Sequence, residues 1–119
     1  MLLPAKYDLI FWTGNDLEFQ FRAKQESGDP FDLTGSELVM TITHGQSQKI
    51  SIQTGTPNLV ITDAANGLFA VKISRDVTRQ IRPRYPNVIY EIERRIDGIE
   101  TTIINGNIVL LGGNNKDAA

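Results

Sequence analysis

Every second residue is apolar in Leu17-Glu18-Phe19-Gln20-Phe21-Arg22-Ala23-Lys24. That period of two predicts a half-buried strand, with Leu17, Phe19, Phe21 and Ala23 facing a core and the charged and amide side chains in water. The pattern recurs, less cleanly, at Tyr7 to Trp12, Leu38 to His44, Lys49 to Gln53, Leu59 to Ile61, Leu68 to Ile73 and Val88 to Ile96, and in a long last run, Ile99 to Leu111. Between these segments lie Thr13-Gly14-Asn15-Asp16, Gly28-Asp29-Pro30, His44-Gly45-Gln46-Ser47, Gly55-Thr56-Pro57-Asn58 and Ala65-Asn66-Gly67. All are built from residues that favour turns for steric or hydrogen-bonding reasons. Short strands at this spacing predict an all-β sandwich or barrel.

One segment departs from the strand pattern. Ser74-Arg75-Asp76-Val77-Thr78-Arg79-Gln80-Ile81 opens on an N-cap, puts Asp76 in the first turn and stops before Pro83, which predicts one short helix near residues 75–81 crossing between strands. Val77 and Ile81, four apart, form its apolar face. Asp97-Gly98 favours a two-residue type I′ hairpin turn, so Ile96 should pair with Ile99 and Arg95 with Glu100. Counting outward, Ile92 should face Ile103 and Tyr90 should face Asn105. This register buries Ile92, Ile96, Ile99 and Ile103 and turns Ile89 and Ile104 outward. Without a bulge Ile108 and Leu110 also point outward; a bulge at Asn105-Gly106-Asn107 would turn them in and leave Val109 and Leu111 outside. The sequence leaves both arrangements open.

The phenylalanines Phe11, Phe19, Phe21, Phe31 and Phe69 fall mostly on predicted inner faces. Trp12 and Ile10 alternate with Tyr7, Leu9 and Phe11, and therefore point outward. An exposed tryptophan beside a glycine turn is a candidate interface anchor, and a tryptophan capping the sandwich edge is the plainer alternative. The exposed apolar candidates are Ile10, Trp12, Ile89 and Ile104.

A chain of 119 residues fits one domain. Residues 1–111 are expected to form the sandwich, and the polar tail 112–119 is expected to be flexible. The absence of cysteine excludes disulfides, thiolate catalysis and cysteine-ligated zinc. A formal charge of −2 with no long basic run argues against nucleic acid. The densest basic stretch, Arg75 to Arg84, encloses Asp76 and reads as a solvated turn or helix. The opening Leu2-Leu3-Pro4 is too short for a signal segment, and no apolar run approaches the roughly 18 residues a spanning helix needs.

No catalytic constellation emerges. His44 is the only histidine and, at a strand end beside Gly45, reads as a surface residue. Glu91 and Glu93 share an outer face with Arg95, as charge alternation along a strand would place them. Asp29, Asp32, Asp63 and Asp76 lack the spacing of a calcium loop. Gly112-Gly113 opens no helix and so resembles no phosphate-binding loop. The expectation is a protein without enzymatic activity, metal or cofactor.

The order of motifs adds a resemblance. Tyr7-Asp8-Leu9 leads into an alternating strand, and Gly28-Asp29-Pro30-Phe31-Asp32-Leu33-Thr34-Gly35 joins the next two. Gly67-Leu68-Phe69, the Ser74-to-Thr78 step, Tyr90-Glu91-Ile92-Glu93, Asp97-Gly98 and Gly106-Asn107-Ile108-Val109 follow. This resembles the small immunoglobulin-like domains of tailed-bacteriophage virions, most of all the N-terminal domain of baseplate upper proteins and related fibre-attachment modules. The resemblance implies an immunoglobulin-like antiparallel β-sandwich of about seven to nine strands. It also implies a structural or adaptor role in the tail, baseplate, fibre attachment or capsid decoration. The partners would be other virion proteins, with several copies in a ring, in a virion assembled from protein made in the bacterial host cytoplasm. A carbohydrate-binding module, with Trp12 and Tyr85 or Tyr7 as a stacking platform, is the alternative.

Overall fold

A computed structural model describes residues 5–12, 14–44, 48–81 and 88–111. Among the described residues nine strands form two sheets: β1 (Ala5–Lys6), β2 (Leu9–Trp12), β3 (Leu17–Arg22), β4 (Glu37–His44), β5 (Gln48–Gln53), β6 (Leu59–Asp63), β7 (Leu68–Ile73), β8 (Ile89–Ile96) and β9 (Ile99–Leu111). The smaller sheet is ordered β3-β7-β6. In the larger, β5, β4, β8 and β9 lie side by side, and both β1 and β2 run parallel to β9 along its free edge. The fold is an immunoglobulin-like sandwich, with β3, β7 and β6 as the B, E and D strands and β4, β5, β8 and β9 as C, C′, F and G. All eight strands expected from the alternation are present. The two-residue β1 is additional, and the expected tail 112–119 lies outside the described residues.

Inward-facing residues of both sheets meet in one core that includes Phe11, Leu33, Leu38, Met40, Ile42, Phe69, Val71, Tyr90 and Ile92. Its aromatic part is layered: Phe11 stacks on Phe19 with centroids 5.5 Å apart, and Phe21 stacks on Phe69 at 5.1 Å. Phe19 and Phe31 are only half-buried. The link between β3 and β4 is fixed by side chains. Both the N–H and the hydroxyl of Thr34 donate to Asp32 Oδ1, and these bonds hold the Asp32 carboxyl below the usual carboxylate range. Arg94 lies 4.7 Å over the Phe31 ring and donates from Nε to Ser36 Oγ.

Helix α1 (Arg75–Gln80) forms where expected, with the Ser74 hydroxyl accepting from Val77 N. Ile81 is buried and Val77 packs against the core. The anchor of the helix is a polar residue, however. Thr78 is fully buried; its hydroxyl accepts from Gly14 N at 3.0 Å and reaches the carbonyls of Asn15 and Arg75 at 3.0 and 3.1 Å. One hydroxyl thereby fixes the helix to the turn after β2.

The β8–β9 register follows the Asp97-Gly98 turn for its first four pairs, from Ile96↔Ile99 to Glu93↔Thr102. Arg95 Nε lies 3.4 Å from Glu100 Oε1, the expected cross-strand ion pair. A bulge then intervenes. Ile92 pairs with Ile104 and Tyr90 with Gly106, not with Ile103 and Asn105. The extra residue is Ile103, and because a bulge resets the alternation, Ile103 and Ile104 are both buried, at 3% and 4% exposure. Ile104 is therefore core and not an outward residue. Beyond the bulge Ile108 points inward while Val109 and Leu111 point outward, the second of the two arrangements, produced at a different position. Ile99 is exposed and Ile96 half-buried at the hairpin tip, which projects past the last pair of β4 with β8, Glu37 with Arg95.

The edge of β9 is shaped by Gly106. A Cβ built there would lie 2.1 Å from the Tyr7 carbonyl oxygen, so only glycine lets the chain between β1 and β2 come this close. Three bonds fasten that chain. Tyr7 N donates to Asn105 O at 2.8 Å, Asn107 N donates to Asp8 Oδ1 at 2.9 Å, and the Tyr90 hydroxyl donates to the Tyr7 carbonyl. Burial, then the charges of Asp8 and of Tyr7, push the Tyr90 phenol well above its ordinary range.

Two outcomes follow from this junction. Gly106→Ala should lower stability by about 3 kcal/mol or more, read as a shift in the chemical denaturation midpoint, because the obstructing atom is backbone. Tyr90→Phe should cost about 1–2 kcal/mol at neutral pH. Since the folded phenol titrates above the unfolded one, the wild-type contribution is whole below about pH 10 and is lost as the pH rises further; denaturation of Tyr90→Phe should show a weaker alkaline loss.

Candidate functional site

Parallel pairing of β2 with β9 sets Ile10 beside Val109 and Trp12 beside Leu111. Side chains of directly paired residues share a face, and here that face is the outside: the four are 52%, 46%, 50% and 38% exposed. Leu9, Phe11 and Ile108 on the opposite face belong to the core. Ile89, 41% exposed, pairs with Asn107 and stands diagonally from Val109 on the same outer face. These five side chains form one apolar strip crossing β2, β9 and the start of β8. Away from Ile89 its own row turns polar, with Asn107 on one side and Thr43 and Lys49 on the other, and the next row, Asn105, Glu91, Thr41 and Ser51, is polar throughout.

Of the four residues expected at an interface, the structure brings Ile10, Trp12 and Ile89 together and removes Ile104 to the core. Val109 and Leu111 replace it. Their outward direction depends on the bulge at Ile103, which no turn residue in the sequence marks.

The residues weighed for chemistry do not converge. His44 is not a surface residue: β4 continues through it on the same side as Met40 and Ile42, and it is buried beside its pairing partner Gln48. Glu91 and Glu93 do lie on one outer face, and Glu93 Oε2 is 3.6 Å from Arg95 Nη2. Among the described residues no group of three or more histidine or carboxylate side chains could hold a metal ion, and no helix is long and apolar enough to cross a membrane. A shallow depression of about 330 Å³ at the β8–β9 hairpin tip is lined by Glu37, Arg95, Asp97 and Glu100. Its arginine is engaged by the glutamate at 100. A second depression, of about 400 Å³, lies between β3 and β7 beside Asp16 and Lys72.

Tyr7 and Trp12 do not make a common stacking platform. The Tyr7 ring stands edge-on to Phe21 at 6.5 Å, on the side of the smaller sheet, while Trp12 faces away from the core. Tyr85 lies outside the described residues. No family model and no curated protein matches the chain.

If the strip is a contact surface and not part of the core, replacing its residues should leave the fold intact. Trp12→Ala and Leu111→Asp should each change stability by less than about 1 kcal/mol in chemical denaturation, whereas Ile104→Asp, in the core, should unfold the domain.

Proposed function

We propose that the protein is a non-enzymatic structural or adaptor component of a tailed-phage particle, acting through protein–protein contacts in a symmetric assembly. Tail, baseplate, fibre attachment and capsid decoration are the places such a part would occupy. The observation that carries this reading is the outward strip Ile10, Trp12, Ile89, Val109 and Leu111 on the rigid edge of an immunoglobulin-like sandwich. The resemblance of its motif order to that of virion domains supports it.

The size of the strip favours many copies over a tight pair. Five partly exposed side chains offer on the order of a few hundred Å², within the roughly 300–600 Å² of the largest patch on ordinary monomers. A stable pairwise interface needs about 800 Å² from each partner. A patch of this size holds well when neighbouring copies are bound to the same body, because each later contact forms at high effective concentration.

Quantitative mass spectrometry of gradient-purified particles from the source phage or its induced lysogen tests the proposal. The protein should co-purify at a fixed ratio to the major capsid protein, low for a tail ring and near parity for a capsid decoration. Loss of Trp12→Asp protein from those particles, with its thermal midpoint unchanged, should accompany it. Absence of the wild-type protein from particles rules the proposal out.

A further inference from the structure

Strand β5 ends the larger sheet, and no strand lies beyond it among the described residues. The bond from Thr54 N to Leu38 O, with Met40 paired to Ile52, sets the phase of its backbone. In an antiparallel ladder bonded pairs alternate, so Ile50 and Ile52 turn their N–H and C=O groups to β4 while Lys49, Ser51 and Gln53 turn theirs to the open edge. Among the described residues only one of these outward groups has a local partner: the Gln53 carbonyl accepts from the Thr56 hydroxyl at 2.7 Å, which leaves its second lone pair.

The other sheet ends are defended. Strand β6 is interrupted by a register shift between Ile61 and Asp63. The β3 edge carries Glu18 and Arg22. At β2 the Trp12 carbonyl is already bonded to Asn15 N. Charges and irregularities are the usual means of keeping a strand edge from pairing. On β5 the sole charge is Lys49.

We infer that β5 pairs antiparallel with β5 of a second copy about a two-fold axis at Ser51, joining the two larger sheets into one. In that register Ser51 meets its own equivalent, Ile50 lies opposite the partner's Ile52, and Lys49 lies opposite the partner's Gln53. The inner face stays apolar, and half-buried Ile50 gains a cover at the rim of the sandwich. No like charges meet. Centring the pairing on Lys49 would oppose two ammonium groups, and centring it on Ile50 would set Ile52 against the partner's Gln48. The axis falls on a small side chain whose backbone groups already point outward, as an isologous strand pair requires. This pairing involves two copies in solution and stands whether or not the protein belongs to a particle.

The absence of cysteine makes the test clean. Bonded antiparallel partners have Cα atoms about 5.5 Å apart, inside the range of roughly 4.4–6.8 Å that a disulfide spans. Under mild oxidation Ser51→Cys should form a disulfide dimer at least tenfold faster than Lys49→Cys, whose two copies would lie about 13 Å apart along the strands. The wild type should sediment as a dimer, and Ser51→Pro should abolish that dimer, since its lost N–H serves only the open edge. If Ser51→Pro fails to fold, the cysteine pair still decides. Equal cross-linking by the two cysteine variants, or a wild type that sediments as a monomer at every concentration, overturns the inference.

Discussion

The close approach of the Tyr7 carbonyl to Gly106 organises one whole side of the molecule. Only an absent side chain lets the first strands lie parallel on β9 with the same register before and after Tyr7-Asp8. With that docking in place Leu9 and Phe11 complete the core, and Ile10 and Trp12 come level with Val109 and Leu111. The Tyr90 hydroxyl ties the same point to the middle of the sheet. Core closure and the outer apolar strip are two faces of a single strand pairing.

A second constraint acts at the opposite end of the helix connection. Helix α1 is only six residues long, too short to persist on its own propensity. It is held by a buried hydroxyl as much as by Ile81. Thr78 meets the turn at Gly14 and Asn15, which lies directly after the strand that carries Trp12. The edge strand is thereby secured at both ends, by Gly106 on one side and Thr78 on the other.

Much of this architecture was legible in the sequence. The alternation from Leu17 to Lys24, the turn residues and the Ser74 cap locate eight strands and the helix, because burial on one face leaves a period of two and caps need particular side chains. What escaped was set by tertiary geometry. The bulge at Ile103 carries no glycine or proline, and it alone sends Ile104 inward and Val109 outward. Ile99 has a core-like side chain but sits past the start of β4, so strand length and not hydrophobicity decides its exposure. His44 reads as a surface residue at a strand end, yet it lies on the same side of β4 as Met40 and Ile42 and is buried. For the candidate site, Ile10, Trp12 and Ile89 followed from local alternation, while the other half of the strip depended on the unmarked bulge.

The strip is composite in chain order as well as in space. Ile10 and Trp12 come from the beginning of the described chain and Val109 and Leu111 from its end, and contacts between such distant segments are the slowest to form. A nascent or partly unfolded chain holds the two halves apart and presents no recognisable surface. In the role proposed for the strip, binding competence would appear only when folding is finished, and incomplete subunits would be excluded from an assembly without any separate checking device.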